Sequence, residues 1–266
     1  MTLQTIQNEF VKLRYLVGYS IRSAQAGGLA NILSMFATVV LVVVQVYVWK
    51  LGNASTAIFS YLLIGRLYKS LAENYFIGTM SSDIISGNLS RVLLLPSSTM
   101  RLYYFLMVGK RVFRNLIEFF GFVIATVICV NYFVQIEYNL GVLWILVLFL
   151  PITFTINHFT GMIVGCLAFI ISDKRDFTGI DNIYYNMREV LGGRLIPLNL
   201  LPFSGFFIAT PFAWQLHYPM QIYLGVYQGW DIVKAWIYGV LWCLALYFIA
   251  SFVFRVGLKS NESSGL

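Results

Sequence analysis

Apolar residues run in long blocks along this chain, and polar residues gather in the short stretches between them. A helix needs roughly 20 mostly apolar residues to cross a hydrocarbon core. Five blocks have that length, at residues 29–49, 57–78, 114–134, 141–171 and 232–254, and a sixth at 180–201 is weaker and broken. The pattern predicts an all-α integral membrane protein, with six transmembrane helices in a single domain over residues 1–266. Ahead of the first block, Leu3, Ile6, Phe10, Leu13 and Val17 recur at helical spacing, while Gln4, Gln7, Asn8, Lys12 and Arg14 fall on other faces. Residues 1–24 are therefore expected to form an amphipathic helix lying in the membrane interface. It serves either as an orientation anchor or as part of a docking surface. The first block begins after this helix and has no small-residue cleavage site, so it reads as a retained span with the N-terminus in the cytoplasm.

Between the second and third blocks lies a short amphipathic stretch. Ser81 and Ser82 suit a helix N-cap and Asp83 suits a first turn. Ile84, Ile85, Leu89, Val92 and Leu93 then make an apolar face, with Asn88, Ser90 and Arg91 on the wet side and Pro96 ending the run. A helix over 81–96 is too short to cross a bilayer. It is expected on the cytoplasmic side, where five basic residues follow closely.

Two places put charge inside apolar blocks. Arg66, Lys69 and Glu73 fall along one helical face, and ionisable groups at membrane depth cost several kcal/mol unless they pair or face water. They line a translocation path, form a buried charge network, or snorkel if the span starts later. Glu73 is placed to neutralise Lys69, and Arg188 with Glu189 in the sixth block are candidate partners across helices.

Composition agrees with a bilayer. The chain is 59% hydrophobic, 17% aromatic and 11% charged, with a mean hydropathy of +0.77, which leaves too little polar surface to coat a soluble fold. Basic residues collect in loops that stay cytoplasmic. With both termini inside, that side holds Lys12, Arg14, Arg22, Arg91, Arg101, Lys110, Arg111, Arg114, Lys174, Arg175, Arg255 and Lys259, twelve of the 18 basic residues. The outer side holds Lys50 and Lys234 beside Glu137 and Asp231, with Arg194 near the outer end of the fifth span. The net charge of +7 then reflects anchoring against anionic membrane lipid, and no nucleic-acid role is indicated. Cys129, Cys166 and Cys243 lie inside blocks without metal-ligand or disulfide spacing, so no metal site is expected.

Four of the six prolines fall between Pro197 and Pro219. Non-helical backbone at membrane depth is tolerated only where protein or water satisfies it. Residues 198–225 thus read as an outer segment that dips in and returns, or as a kinked helix followed by a loop. His217 belongs there as a loop or interface residue. His158, beside Asn157 in an apolar block, reads as a helix-packing group.

These features together resemble the permease subunits of type-two ABC exporters. The run of Asp83, Ile84, Gly87, Leu89, Leu93, Leu94 and Pro96 is similar to the first cytoplasmic connector of that family, a coupling helix seated in a groove of the ATPase subunit. The resemblance gives Asp83, Ile84, Gly87, Leu89, Arg91, Leu93 and Leu94 an ATPase-coupling role. Pro197, Pro202, Pro211, Phe212, Pro219 and Gly225 resemble the re-entrant outer helices before the last span, and are most like the six-span export-permease branch. Gly109-Lys110 lacks the upstream Gly and the following Ser or Thr of a phosphate loop. The resemblance therefore implies two separate ABC ATPase subunits that bind the ATP and Mg, a second permease subunit, no cofactor on this chain, and a prokaryotic inner membrane. It further implies ATP-driven export of a hydrophobic or amphiphilic substrate such as a drug, lipid, glycolipid or peptide. A rhomboid-like protease also has six spans, and Ser204 precedes Gly205. Pro202, however, replaces the Gly expected two residues before such a nucleophile, and His217 precedes the last span. An ATP-independent channel or scaffold is the other alternative.

Overall fold

In a computed structural model the protein is described at residue 18 and over residues 28–74, 76–95, 98–136, 139–171 and 173–263. The expected interfacial helix over 1–24 and Pro96 lie outside the described residues. Within them every regular element is helical: α1 (Gly28–Leu51), α2 (Thr56–Ala72), α3 (Ile77–Ile85), α4 (Leu89–Leu93), α5 (Thr99–Tyr132), α6 (Leu140–Gly165), α7 (Lys174–Leu191), α8 (Ser204–Ala209), α9 (His217–Tyr223) and α10 (Trp230–Ser263). Short 3-10 turns at Cys166–Phe169, Leu198–Leu200 and Pro211–Gln215 join them.

Among the described residues, three segments are long and apolar enough to cross a membrane, Thr99–Tyr132, Gly141–Phe169 and Trp230–Ser260, and a shorter apolar helix covers Met35–Leu51. This is a multi-pass, all-α membrane protein. α1 packs along α5, α5 along α2, α2 and α3 along α6, and α6 along α10. The buried centre includes Tyr61, Leu63, Phe76, Met80, Ile156, Met162, Trp214 and Met220.

Four details depart from the apolar pattern. The block at 57–78 is not one helix, because α2 stops at Ala72 and α3 begins at Ile77. α5 starts at Thr99, well before residue 114, since Leu102, Tyr103 and Met107 bury one face of an extension that carries Arg101 and Lys110 elsewhere. At about 1.5 Å per residue α5 is about 51 Å long, well beyond a hydrocarbon core of about 30 Å. α7 starts at Lys174, capped by Asp173 Oδ1, which accepts from the Arg175 amide at 2.6 Å. It ends at Leu191, before Gly193 takes a φ of 80°.

The stretch expected as one Ser-capped helix over 81–96 also divides. Ser81 and Ser82 lie inside α3, and Gly87, at a φ of 74°, turns the chain into α4. A left-handed backbone favours glycine at that point. α3 reaches α6 through two small residues one turn apart. Gly161 faces the Phe76–Ile77 backbone, and Gly165 faces the Met80 side chain, the close approach that small residues allow between membrane helices.

A charged pocket at a broken helix

The break between the end of α2 at Ala72 and the start of α3 at Ile77 creates a chemical problem. The last carbonyls of a helix have no partner within it, and at membrane depth an unsatisfied carbonyl is costly. Three neighbouring helices supply the donors. Asn115 of α5 donates through Nδ2 to the carbonyls of Leu71 and Glu73, each at 3.0 Å. Asn157 of α6 donates to the Ala72 carbonyl at 3.3 Å. Arg188 of α7 donates from Nη1 to the Asn74 carbonyl at 3.2 Å. The break is thus held by polar side chains from α5, α6 and α7.

Charge gathers at the same place. Glu73 pairs with Arg188 and lies 3.9 Å from Lys69. Lys69 also pairs with Glu189, whose other carboxylate oxygen takes Arg194 at 2.6 Å. Arg66, a turn earlier on α2, donates to the neutral Gln45 of α1. Cations near the C-terminal end of α2 also meet the negative end of its dipole. The cluster therefore runs from α2 to α7, with Arg188 and Glu189 joining the stripe of Arg66, Lys69 and Glu73.

A cavity of about 400 Å³ opens beside it, lined by Arg66, Lys69, Glu73, Arg111, Arg114, Glu118 and Arg194 among others. Lys69 is buried on its floor, whereas the side chain of Arg114 is 55% exposed and pairs with Glu118 at 3.0 Å. Arg194 follows the end of α7 and reaches back to pair with Glu189. The turn at Gly192 and Gly193 follows the end of α7 at the level of α2, and Arg194 lines the same cavity as Arg111 and Arg114. Asn115, Asn157, Arg194 and the α5 arginines were not expected at this site.

The connector on the other side of α3 is anchored and exposed in turn. Asp83 accepts from the Tyr103 hydroxyl of α5 at 2.9 Å, and Leu89 is buried. Ile84, Ile85 and Val92 are half-buried. Arg91, Leu93, Leu94 and Leu95 are exposed, Leu94 by 85%. Of the expected apolar face, Leu89 is thus buried and Leu93 exposed. Ser90 Oγ donates to the Gly87 carbonyl at 2.8 Å and Asn88 to Ser86 Oγ at 3.0 Å, which fixes the turn.

Residues 197–225 fold as short helices against α6 and α10. Pro197 precedes the turn at Leu198–Leu200, and Pro202 precedes Phe203, which has a φ of 60°. Pro211 opens the next turn, with Phe212 following it. Pro219 sits in the first turn of α9, where a missing N–H does no harm. Gly225 ends α9 at a φ of 74°. Trp214 is the pivot, stacked between Phe149 at 5.7 Å and Tyr218 at 4.5 Å, and its carbonyl accepts from Thr153 Oγ1 at 2.9 Å. His217 opens α9 and is buried, so it is not a loop residue. His158 is buried between Phe76 and Tyr104, with Asn74 Nδ2 3.3 Å from Nδ1.

Among the described residues no group of His, Cys, Asp and Glu is placed to hold a metal ion. No curated protein matches the chain. Residues 28–265, however, match the family model of ABC-2 family transporter proteins. The chain belongs to that family, and its role is in transport, not catalysis.

Proposed function

We propose that this chain is the membrane-spanning permease subunit of an ATP-driven ABC exporter, paired with a second, identical or related permease above two ATPase subunits. In this reading six crossings are made by α1, by α2 with α3, by α5, by α6, by α7 with its continuation, and by α10. The termini lie in the cytoplasm of a prokaryotic cell, the segment after α7 is re-entrant from the outer side, and the cargo is hydrophobic or amphiphilic.

One observation supports the docking role above the others. The connector presents Leu93, Leu94 and Leu95 to solvent while Asp83 and Leu89 hold its base to the body of the protein. Consecutive exposed leucines on a fixed support are suited to burial in a partner's groove. Asp83 then anchors the connector and does not touch the ATPase, and the contact falls to Arg91, Leu93 and Leu94, with Gly87 and Ile84 setting their direction.

The test is co-expression with the ATPase encoded nearest to this permease. Leu94→Asp is expected to reduce co-purified ATPase at least about tenfold, the loss that a buried apolar contact replaced by a charge produces, with an unchanged elution profile of the permease. Undiminished co-purification and ATP hydrolysis would overturn the assignment.

A further inference from the structure

The pocket at the helix break is not electrically balanced. Its walls carry Arg66, Lys69, Arg111, Arg114 and Arg194 against Glu73 and Glu118. The pairs behind the wall add Arg188 and Glu189, one of each sign. Six cations therefore face three carboxylates, and three positive charges are left over.

We propose that this pocket binds the phosphate-ester headgroup of an anionic amphiphile. Uncompensated charge at low dielectric is expensive, and an anion entering the pocket offsets that cost. Five of the six cations are arginines, whose planar fork suits bidentate contact with phosphate oxygens. Arg66 is the most available of them, since its hydrogen-bond partner, Gln45, is neutral. A volume of about 400 Å³ exceeds a bare phosphate and accommodates a headgroup with the start of its tail. The pocket also runs from a buried Lys69 to a half-exposed Arg114, so a headgroup enters from the surface of the helix bundle without crossing its apolar centre. The inference deepens the permease reading and rests on it for the role of the bound molecule, as cargo or as resident lipid. The binding itself requires no ATPase.

The experiment titrates the purified full chain, without ATPase, with dioctanoyl phosphatidic acid, dioctanoyl phosphatidylcholine and inorganic phosphate, read by native mass spectrometry. Phosphatidic acid is expected to bind at least about tenfold more tightly than phosphatidylcholine. Arg66→Gln should weaken it by about tenfold. Glu118→Gln should strengthen it by about threefold, because it removes the acid that now pairs with Arg114 at the mouth of the pocket. Opposite shifts from two variants of one pocket separate binding from misfolding. Equal affinity for the two lipids, or no opposition between the variants, would overturn the proposal. Inorganic phosphate binding as tightly as phosphatidic acid would overturn the amphiphile in favour of a soluble anion. Loss of ATPase docking in Leu94→Asp would leave this binding unchanged, so the two readings fail separately.

Discussion

The sharpest check on the broken-helix site is a double-mutant cycle on Arg188 and Glu73. Arg188→Met removes a buried cation that pairs with Glu73 and donates to the Asn74 carbonyl at 3.2 Å. Breaking one side of a buried ion pair costs about 3–5 kcal/mol, and stranding a buried carbonyl adds about 1–3. Two features pull the figure down. Glu73 keeps Lys69 at 3.9 Å, and the pocket loses one of its three surplus positive charges. The expected loss is therefore near the lower end, about 3 kcal/mol. Glu73→Gln strips the partner from Arg188 and should cost about 2–3 kcal/mol. If the pair is coupled, the double variant falls short of the sum by about 1–3 kcal/mol, as contacting residues in one network do. Chemical unfolding in mixed micelles measures all three, with Arg66→Gln as a control expected to cost about 1 kcal/mol or less for a hydrogen bond to a neutral partner. Additivity within about 0.3–0.5 kcal/mol would refute the argument, because it would mean that water already screens the two charges from one another.

Three further outcomes follow from single contacts. Asn115→Leu leaves the carbonyls of Leu71 and Glu73 without the donor now 3.0 Å away, and should destabilise by about 2–4 kcal/mol in the same unfolding assay, while Asn115→Gln recovers part of that loss. Gly239→Ala would place a methyl 2.8 Å from Ile152 Cγ2 and 3.0 Å from the Trp214 ring, costing about 1–3 kcal/mol by overpacking. Gly161→Ala meets nothing closer than 3.5 Å and should unfold at the same denaturant concentration as the parent.

The charged residues of the site were legible because charge stands out in an apolar run. Arg66, Lys69 and Glu73 announced a buried face, and Arg188 with Glu189 announced a partner for it. The break that organises them was hidden, since residues 73–76 contain neither Pro nor Gly and nothing local stops the helix. It exists because Asn115, Asn157 and Arg188 reward exposed carbonyls at that level, a tertiary effect outside any window of sequence. That Arg194 joins the pocket was hidden too, because the turn at Gly192 and Gly193 brings it back to Glu189. In the connector the signal was present and underweighted, because Ser86-Gly87-Asn88 is a turn sequence and behaves as one.

The position of α3 ties the two ends of the site together. Its nine residues make a rigid element of about 13 Å. One end begins directly after the break that holds Glu73, and the other passes through Gly87 into the exposed leucines. Gly161 and Gly165 of α6 face its flank, where an added Cβ would lie 3.5 Å and 3.3 Å from the nearest α3-side atom. On the docking role proposed above, force applied at Leu94 is carried along α3 to the Asn74 carbonyl and the Glu73 carboxylate, whose partners sit on α7 and α2. A shift of about 1 Å there takes a hydrogen bond of 3.2 Å beyond bonding range. Packed interfaces respond to such shifts by switching between arrangements and not by yielding gradually. ATP-driven movement at the connector would then act first on the negative wall of the pocket, and weakening the hold of Glu73 on Lys69 and Arg188 would change the field that an anionic headgroup meets.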